Sequence, residues 1–350
     1  MTTPTNSTQT NRTHLLEKSR NLLGWPLIQN ALASYTCSPV ASKLCHSLIP
    51  HSDIASTNNA LDKTTQMVEL LAAGDSFPIH PFDNFIPILE EAKEREILDS
   101  LKCLSVLKLL RVVRSVRRCI EKQNDTPLLK LLSNHLNPLP ILIKELERCI
   151  DDEGEIKENA SPELKQAIRE VTFAKQKLES KVESILSNKT YIEAIQDSYH
   201  TEREGRIVIP VKSEKRSQIE GIVHDSSGSG HTLYIEPSSI IPLNNQLKIH
   251  RLAIDREKKK VLQTLTRQIL DAGEILLLNM ETLVEFDFIH ARAKLAKLMQ
   301  ARRCNIELGC KLQLNKALNP ELILNGQNVI PNDIAWDQSI HVIIISGPNT

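Results

Sequence analysis

Aromatic residues make up only 3% of this 350-residue chain, and glycine occupies only 11 positions. Sandwiches and barrels lean on aromatic packing and glycine-rich turns, so both are disfavoured and long helices packed through Leu, Ile and Val are expected. An excess of charge of one sign is also lacking: 43 basic and 43 acidic residues leave a formal net charge of zero. Any nucleic-acid binding must therefore come from a local basic patch. The seven cysteines, at positions 37, 45, 103, 119, 149, 304 and 310, include no CxxC pair and are odd in number. Neither a zinc site nor a disulfide framework is indicated, and a reducing cytoplasm is the simplest setting. No apolar run reaches the roughly 18 residues a membrane span needs. The polar stretch from Thr2 to Asn11 has no apolar core of a signal peptide. A cytoplasmic protein with no membrane partner is expected.

What is present is mostly helical periodicity. Residues 1–12 read as a Ser/Thr/Asn-rich disordered tail, and residues 13–202 as a helical domain. The helical pattern breaks at Phe77-Pro78-Ile79-His80-Pro81, at Thr126-Pro127 and at Asn137-Pro138-Leu139-Pro140. Leu104, Leu107, Leu110, Val113 and Val116 recur every three residues on a stretch that also carries Arg111, Arg114, Arg117 and Arg118. A solvated helix face is the simpler account of those arginines, with nucleic-acid contact the alternative.

After an acidic turn at 151–155, Ser161-Pro162-Glu163 is a helix start, combining a serine cap, proline at the first position and an acid in the first turn. Leu164, Val171, Leu178 and Ile185 then repeat every seven residues, with Ile168 and Val182 on the neighbouring stripe. This is a long arm helix that needs a partner. The expected partner begins near Leu243, with Leu247, Ile254 and Val261 at heptad spacing, then Leu265 and Ile269. Its opposite face carries Lys248, Arg251, Arg256 and Lys258-Lys259-Lys260. An antiparallel, coiled-coil-like pair is predicted, spanning 243–311 on its return.

Between the arms, residues 203–242 change period. Three strand candidates, 206–212, 221–224 and 232–236, predict a small antiparallel β unit, with Pro210 assigning the first of them to a sheet edge. Arg203, Arg206, Lys212, Lys215 and Arg216 place five positive charges within fourteen residues, against Glu202, Glu204 and Glu214. They are the candidate nucleic-acid contacts, by the backbone route. No aromatics interleave with them, so base stacking is not expected. His224, Asp225 and His231 around a Ser/Gly loop form neither a convincing metal site nor a hydrolase constellation, and Glu236-Pro237 reads as a strand terminator. No catalytic site is predicted.

Residues 312–350 turn α/β in character. Residues 341–346 read as a buried strand of a parallel sheet, running into Gly347-Pro348-Asn349-Thr350. This matches the first half of a phosphate-binding loop of the form GxxxxGK[ST], in which backbone N–H groups surround phosphates and a lysine and a hydroxyl complete the site.

The ordered set 203–212, 221–225, 233–237 and 243–245, preceded by 147–151 with 161–164 and followed by 329–334 and the GPNT loop, resembles the second branch of the bacterial MutS family. That branch is the recombination-suppressing one, without a mismatch-reading domain. The resemblance runs from about residue 14 to 350. It implies a mainly α fold: a helical core and lever, a β clamp inserted in it, and the first strands of an ABC-type P-loop ATPase. It implies ATP and Mg2+ as cofactors of a full-length parent, with Gly347, Pro348, Asn349 and Thr350 as a partial ATP-binding loop. It implies homodimerisation of that parent, and branched or duplex DNA, or ribosomal RNA, as partners. Suppression of recombination, rescue of collided ribosomes and, in many members, a small nuclease domain come with it. One departure is Ala317-Leu318-Asn319-Pro320, where members have Ala-Arg-His-Pro. Lacking the lysine of the loop, this chain alone is expected to hydrolyse no ATP. A helical scaffold that binds protein is the competing expectation.

Overall fold

A computed structural model describes residues 18–344 except 75, 310, 338, 341 and 343. The architecture is mainly α, with one four-stranded and one two-stranded antiparallel sheet among the described residues. Two compact units are formed: one from the described residues of Met1–Glu90, Ser105–Ile143 and Asp271–Thr350, the other from Glu91–Leu104 and Lys144–Leu270.

Proline sets many of the helix starts, because its fixed φ suits the first turn and its missing N–H is not needed there. In the first unit α1 (Trp25–Ala33), α2 (Pro39–His46) and α6 (Pro127–Ser133) begin this way, and α7 (Pro140–Cys149), most of which belongs to the second unit, opens at Pro140. Between them lie α3 (Ile54–Ala72), α4 (Phe85–Arg95) and α5 (Ser100–Glu121). The three-residue repeat on α5 is wholly buried, from Leu104 to Val116, and Val106, Leu109 and Val112 are buried beside it. Arg117 on the same helix is held by Glu121 and by the Leu136 carbonyl, both at 2.8 Å. The long helix α10 (Gly273–Leu298) is buried on several sides, with Leu276, Leu283, Phe286 and Ile289 fully enclosed. Its buried Asp287 accepts from Cys37 N, Ser38 N and Ser38 Oγ, each at 2.8 Å, at the capped start of α2.

The second unit is built on α8 (Pro162–Leu186) and α9 (Ile241–Asp271). Ser161 Oγ accepts from Leu164 N at 3.0 Å, as its position in the sequence predicts. Leu164, Leu178 and Ile185 are buried and Val171 is partly so; on the neighbouring stripe Val182 is buried and Ile168 is half-buried. Ala167 and Ala174 fill the intermediate positions of the seam. The helices run antiparallel: His250 Nδ1 meets Glu170 Oε2 at 3.2 Å, while Ala253 and Glu257 face the first turns of α8.

The sheet between them has strand order β1-β2-β4-β3, with β1 Thr201–Arg203, β2 Arg206–Lys212, β3 Gly221–Ser226 and β4 Thr232–Pro237. Glu204 and Gly205, both at positive φ, turn β1 into β2 with Arg203 opposite Arg206, the arrangement a two-residue hairpin needs. The edge assignment of β2 is overturned: it lies between β1 and β4. Pro210 is tolerated because β1 pairing ends at Val208, and its carbonyl points away from β4 to accept from Gln196 N at 2.9 Å. A residue's N and O leave a strand on the same side, so the absent N–H costs the β2–β4 ladder nothing. Ile207, Ile209, Val211 and Ile235 pack with Leu178, Val182, Ile185 and Leu247, so sheet, α8 and α9 share one core.

In the segment after α10, β5 (Leu312–Ala317) pairs antiparallel with β6 (Asn332–Trp336) around the short helix α11 (Pro320–Leu324). The parallel strand expected at 341–346 is not formed at its described positions: Val342 and Ile344 are exposed and in no strand. Its other residues, the tail 1–12 and the Gly347–Thr350 loop lie outside the described residues.

Candidate nucleic-acid interface

The five basic residues predicted as contacts all belong to the sheet and its connections, and each has an internal partner. Arg203 lies over the Tyr234 ring at 4.4 Å and donates from Nε to Asp225 at 2.9 Å. Arg206 reaches Glu236 Oε1 at 2.6 Å and Asn245 Oδ1 at 2.7 Å. Lys215, on the 3₁₀ turn Ser213–Gln218, meets Glu193 at 3.0 Å, and Lys212 donates to the Glu193 carbonyl at 3.2 Å. Arg216 donates to the Gly221 carbonyl at 3.0 Å.

The centre of this arrangement is Glu236, which sequence reasoning took for a strand terminator. It is the penultimate residue of β4 and has no exposed surface. Besides Arg206, it meets His224 Nε2 at 2.8 Å and Asn244 Nδ2 at 2.8 Å. His224 gets there through a β-bulge: the register slips between Val223 and Asp225, which adds a residue to β3 and redirects its side chain. Asn244, in the first turns of α9, also exchanges two hydrogen bonds with Ile207. One carboxylate thus ties β2, β3, β4 and α9 together. Opposite charge and three donors satisfy a buried anion that would otherwise be costly. A sequence signal was present: an acid in the last positions of a β-branched strand, and Asn244 three residues before Leu247 on the inward stripe.

Around the network, Gly221 packs against β4 so closely that a Cβ there would lie 2.2 Å from the Glu236 carbonyl oxygen. His231 is exposed at the far end of the loop, and no group of three or more His, Cys, Asp or Glu is placed to hold a metal ion among the described residues.

Cations with no polar partner at all among the described residues are found on α9. At about 100° per residue, Lys248, Arg256 and Lys259 share the face opposite the buried Leu247 and Val261, and all three are exposed, with Asp255 beside them. Arg251, expected among them, is turned to the flank and binds Glu202 at 2.9 Å. Lys258 is half-buried, and Lys260 pairs with Glu257 at 2.8 Å. The separation has a simple cause, since the sheet's cations have strand and loop acids within reach whereas the outer α9 face has few.

No protein-family model matches the chain. Among curated proteins it is 30% identical over 334 residues to Endonuclease MutS2 of Geobacillus sp. (strain WCH70), covering 94% of this chain and 42% of that protein. It is 30% identical over 338 residues to Endonuclease MutS2 of Clostridioides difficile (strain 630), covering 95% and 42%. It is 32% identical over 306 residues to Endonuclease MutS2 of Brevibacillus brevis, covering 87% and 39%. The chain thus spans about two fifths of the length of the relatives it matches. Over nearly all of its own length, the chain is similar to the corresponding part of these MutS2 proteins.

Proposed function

We propose that this chain is the DNA-binding portion of a MutS2-type ATPase, and that the outer face of α9 carries the phosphate contacts. The observation that carries this is the set Lys248, Arg256 and Lys259, exposed on one face and free of carboxylate partners among the described residues. The five sheet cations have a different part: already bonded, they hold the clamp-like sheet in shape beside that face. Contacts of this kind read the nucleic-acid backbone and not base sequence, which suits branched or duplex DNA and would serve structured ribosomal RNA as well. Suppression of recombination and rescue of collided ribosomes are the cellular roles that would use such binding. ATP and Mg2+ would be held by a loop starting at Gly347–Thr350, through residues this chain does not include, and a parent protein would dimerise there.

The test is salt-titrated binding of the chain to a four-way DNA junction, for wild type and for K248Q/R256Q/K259Q. The expected slope of log affinity against log salt falls by about one per residue removed. An unchanged slope in the triple variant would refute the α9 assignment. A second reading, a helical scaffold for a protein partner, is favoured by Phe173, Ile249 and Leu252, which stand exposed on the same arm. A wild-type salt slope near zero would select that reading.

A further inference from the structure

We propose that a cavity on the first unit, lined by α3 and α10, binds the phosphate group of a small soluble ligand. The cavity is a surface depression of about 560 Å³, within the volume range of small-molecule sites. Its α10 side is made by Glu285, Phe288 and Arg292, and its α3 side by Ser56, Asn59 and Lys63. This proposal is independent of the nucleic-acid reading, which concerns the other unit.

Arg292 is the group that calls for a ligand. Its guanidinium lies over the Phe288 ring at 4.7 Å, which fixes its plane. Its Nε is buried and meets no acceptor among the described residues. The neighbouring carboxylate, Glu285, is already taken by Lys63 at 2.5 Å. Burial pushes the Arg292 pKa down, as expected of a cation short of counter-charge. Arg292 lines the cavity while its Nε is packed away, so an oxyanion there offsets the guanidinium's charge and does not bond Nε. Two cations against one carboxylate leave a net positive charge to attract an oxyanion. The candidate donors come from two helices and include a hydroxyl and an amide beside the guanidinium, a set able to serve several oxygens of one tetrahedral phosphate.

The experiment is thermal unfolding of the full chain at constant ionic strength, titrated with inorganic phosphate, glycerol 3-phosphate or acetate. Wild type is expected to show a melting temperature that rises and saturates with phosphate or glycerol 3-phosphate, as specific binding to the folded state requires. The more effective of the two identifies free phosphate or a phosphomonoester as the source. Arg292→Met is expected to weaken the effect by about tenfold or more. In phosphate-free buffer it should melt no lower than wild type, because it removes an uncompensated charge. Should that variant fail to fold, Lys63→Met with 31P line broadening of inorganic phosphate provides the same comparison. Absence of a saturable phosphate effect, an equal effect in both variants, or an equal effect of acetate would overturn the proposal.

Discussion

Asn244 holds Ile207 by both of its backbone groups: Ile207 N donates to Asn244 Oδ1 and Asn244 Nδ2 donates to Ile207 O, each at 3.0 Å. A side-chain amide here takes the place of a neighbouring strand. Ile207 is buried, so water cannot replace those bonds. Asn244→Ala should lower stability by about 3 kcal/mol, since two buried backbone groups lose their partners. Urea unfolding would measure it, and an unchanged midpoint would contradict the role.

Glu236 and Arg206 should be strongly coupled. Glu236→Ala leaves Arg206, His224 and Asn244 facing an empty, buried position, at a cost of about 3–5 kcal/mol. Arg206→Met should cost less, because His224 and Asn244 still serve the carboxylate and the arginine is partly exposed. A double-mutant cycle should give a coupling energy above about 1 kcal/mol. Strict additivity would mean the pair is incidental.

Gly221→Ala should cost about 1–3 kcal/mol, the range for forcing extra atoms into packed structure. The added Cβ meets backbone oxygen, which cannot swing aside. Gly228→Ala, in the loop between β3 and β4, meets nothing within 4 Å and is the matched control. Equal midpoints for the two variants would remove close approach as the reason for glycine at 221.

His290 on α10, packed against Phe77 at 5.4 Å between ring centroids, is held neutral by burial, its pKa pushed down to about 4. Between about pH 6.5 and 4 the unfolded chain binds the proton and the folded chain does not, so stability falls as pH falls. Asp287 is displaced the other way, its carboxyl pushed up by burial against the donors from Cys37 and Ser38. A raised acid binds its proton more readily when folded, which adds stability toward low pH and opposes the histidine. Comparing wild type with His290→Leu isolates the first effect: the stability difference should shift in favour of the variant from pH 7 to pH 4. A pH-independent difference would show that His290 is not held neutral.

How much of this was legible in sequence follows from the range of each interaction. Ser161-Pro162-Glu163 announced its helix, because capping acts within one turn, whereas the prolines at 127 and 140, read only as breaks in the helical pattern, stand at helix starts. Ala167 and Ala174 did not announce their place in the seam, since alanine suits either face of a helix. β1, at three residues, is too short to display a period. Partners were hidden by distance along the chain. Glu193 lies 22 residues from Lys215, Glu236 lies 30 from Arg206, and Glu202 lies 49 from Arg251. A run of basic residues therefore looked like a free patch, although each is bonded internally, whereas the unpaired cations sat on a helix face that periodicity did reveal.

The grip of Asn244 on Ile207 also has a mechanical meaning. A helix that turned about its own axis by one residue would rotate by about 100° and carry that amide away from the strand. The joint therefore fixes the rotational setting of α9 against β2, so that only one face of the helix can stand over the sheet.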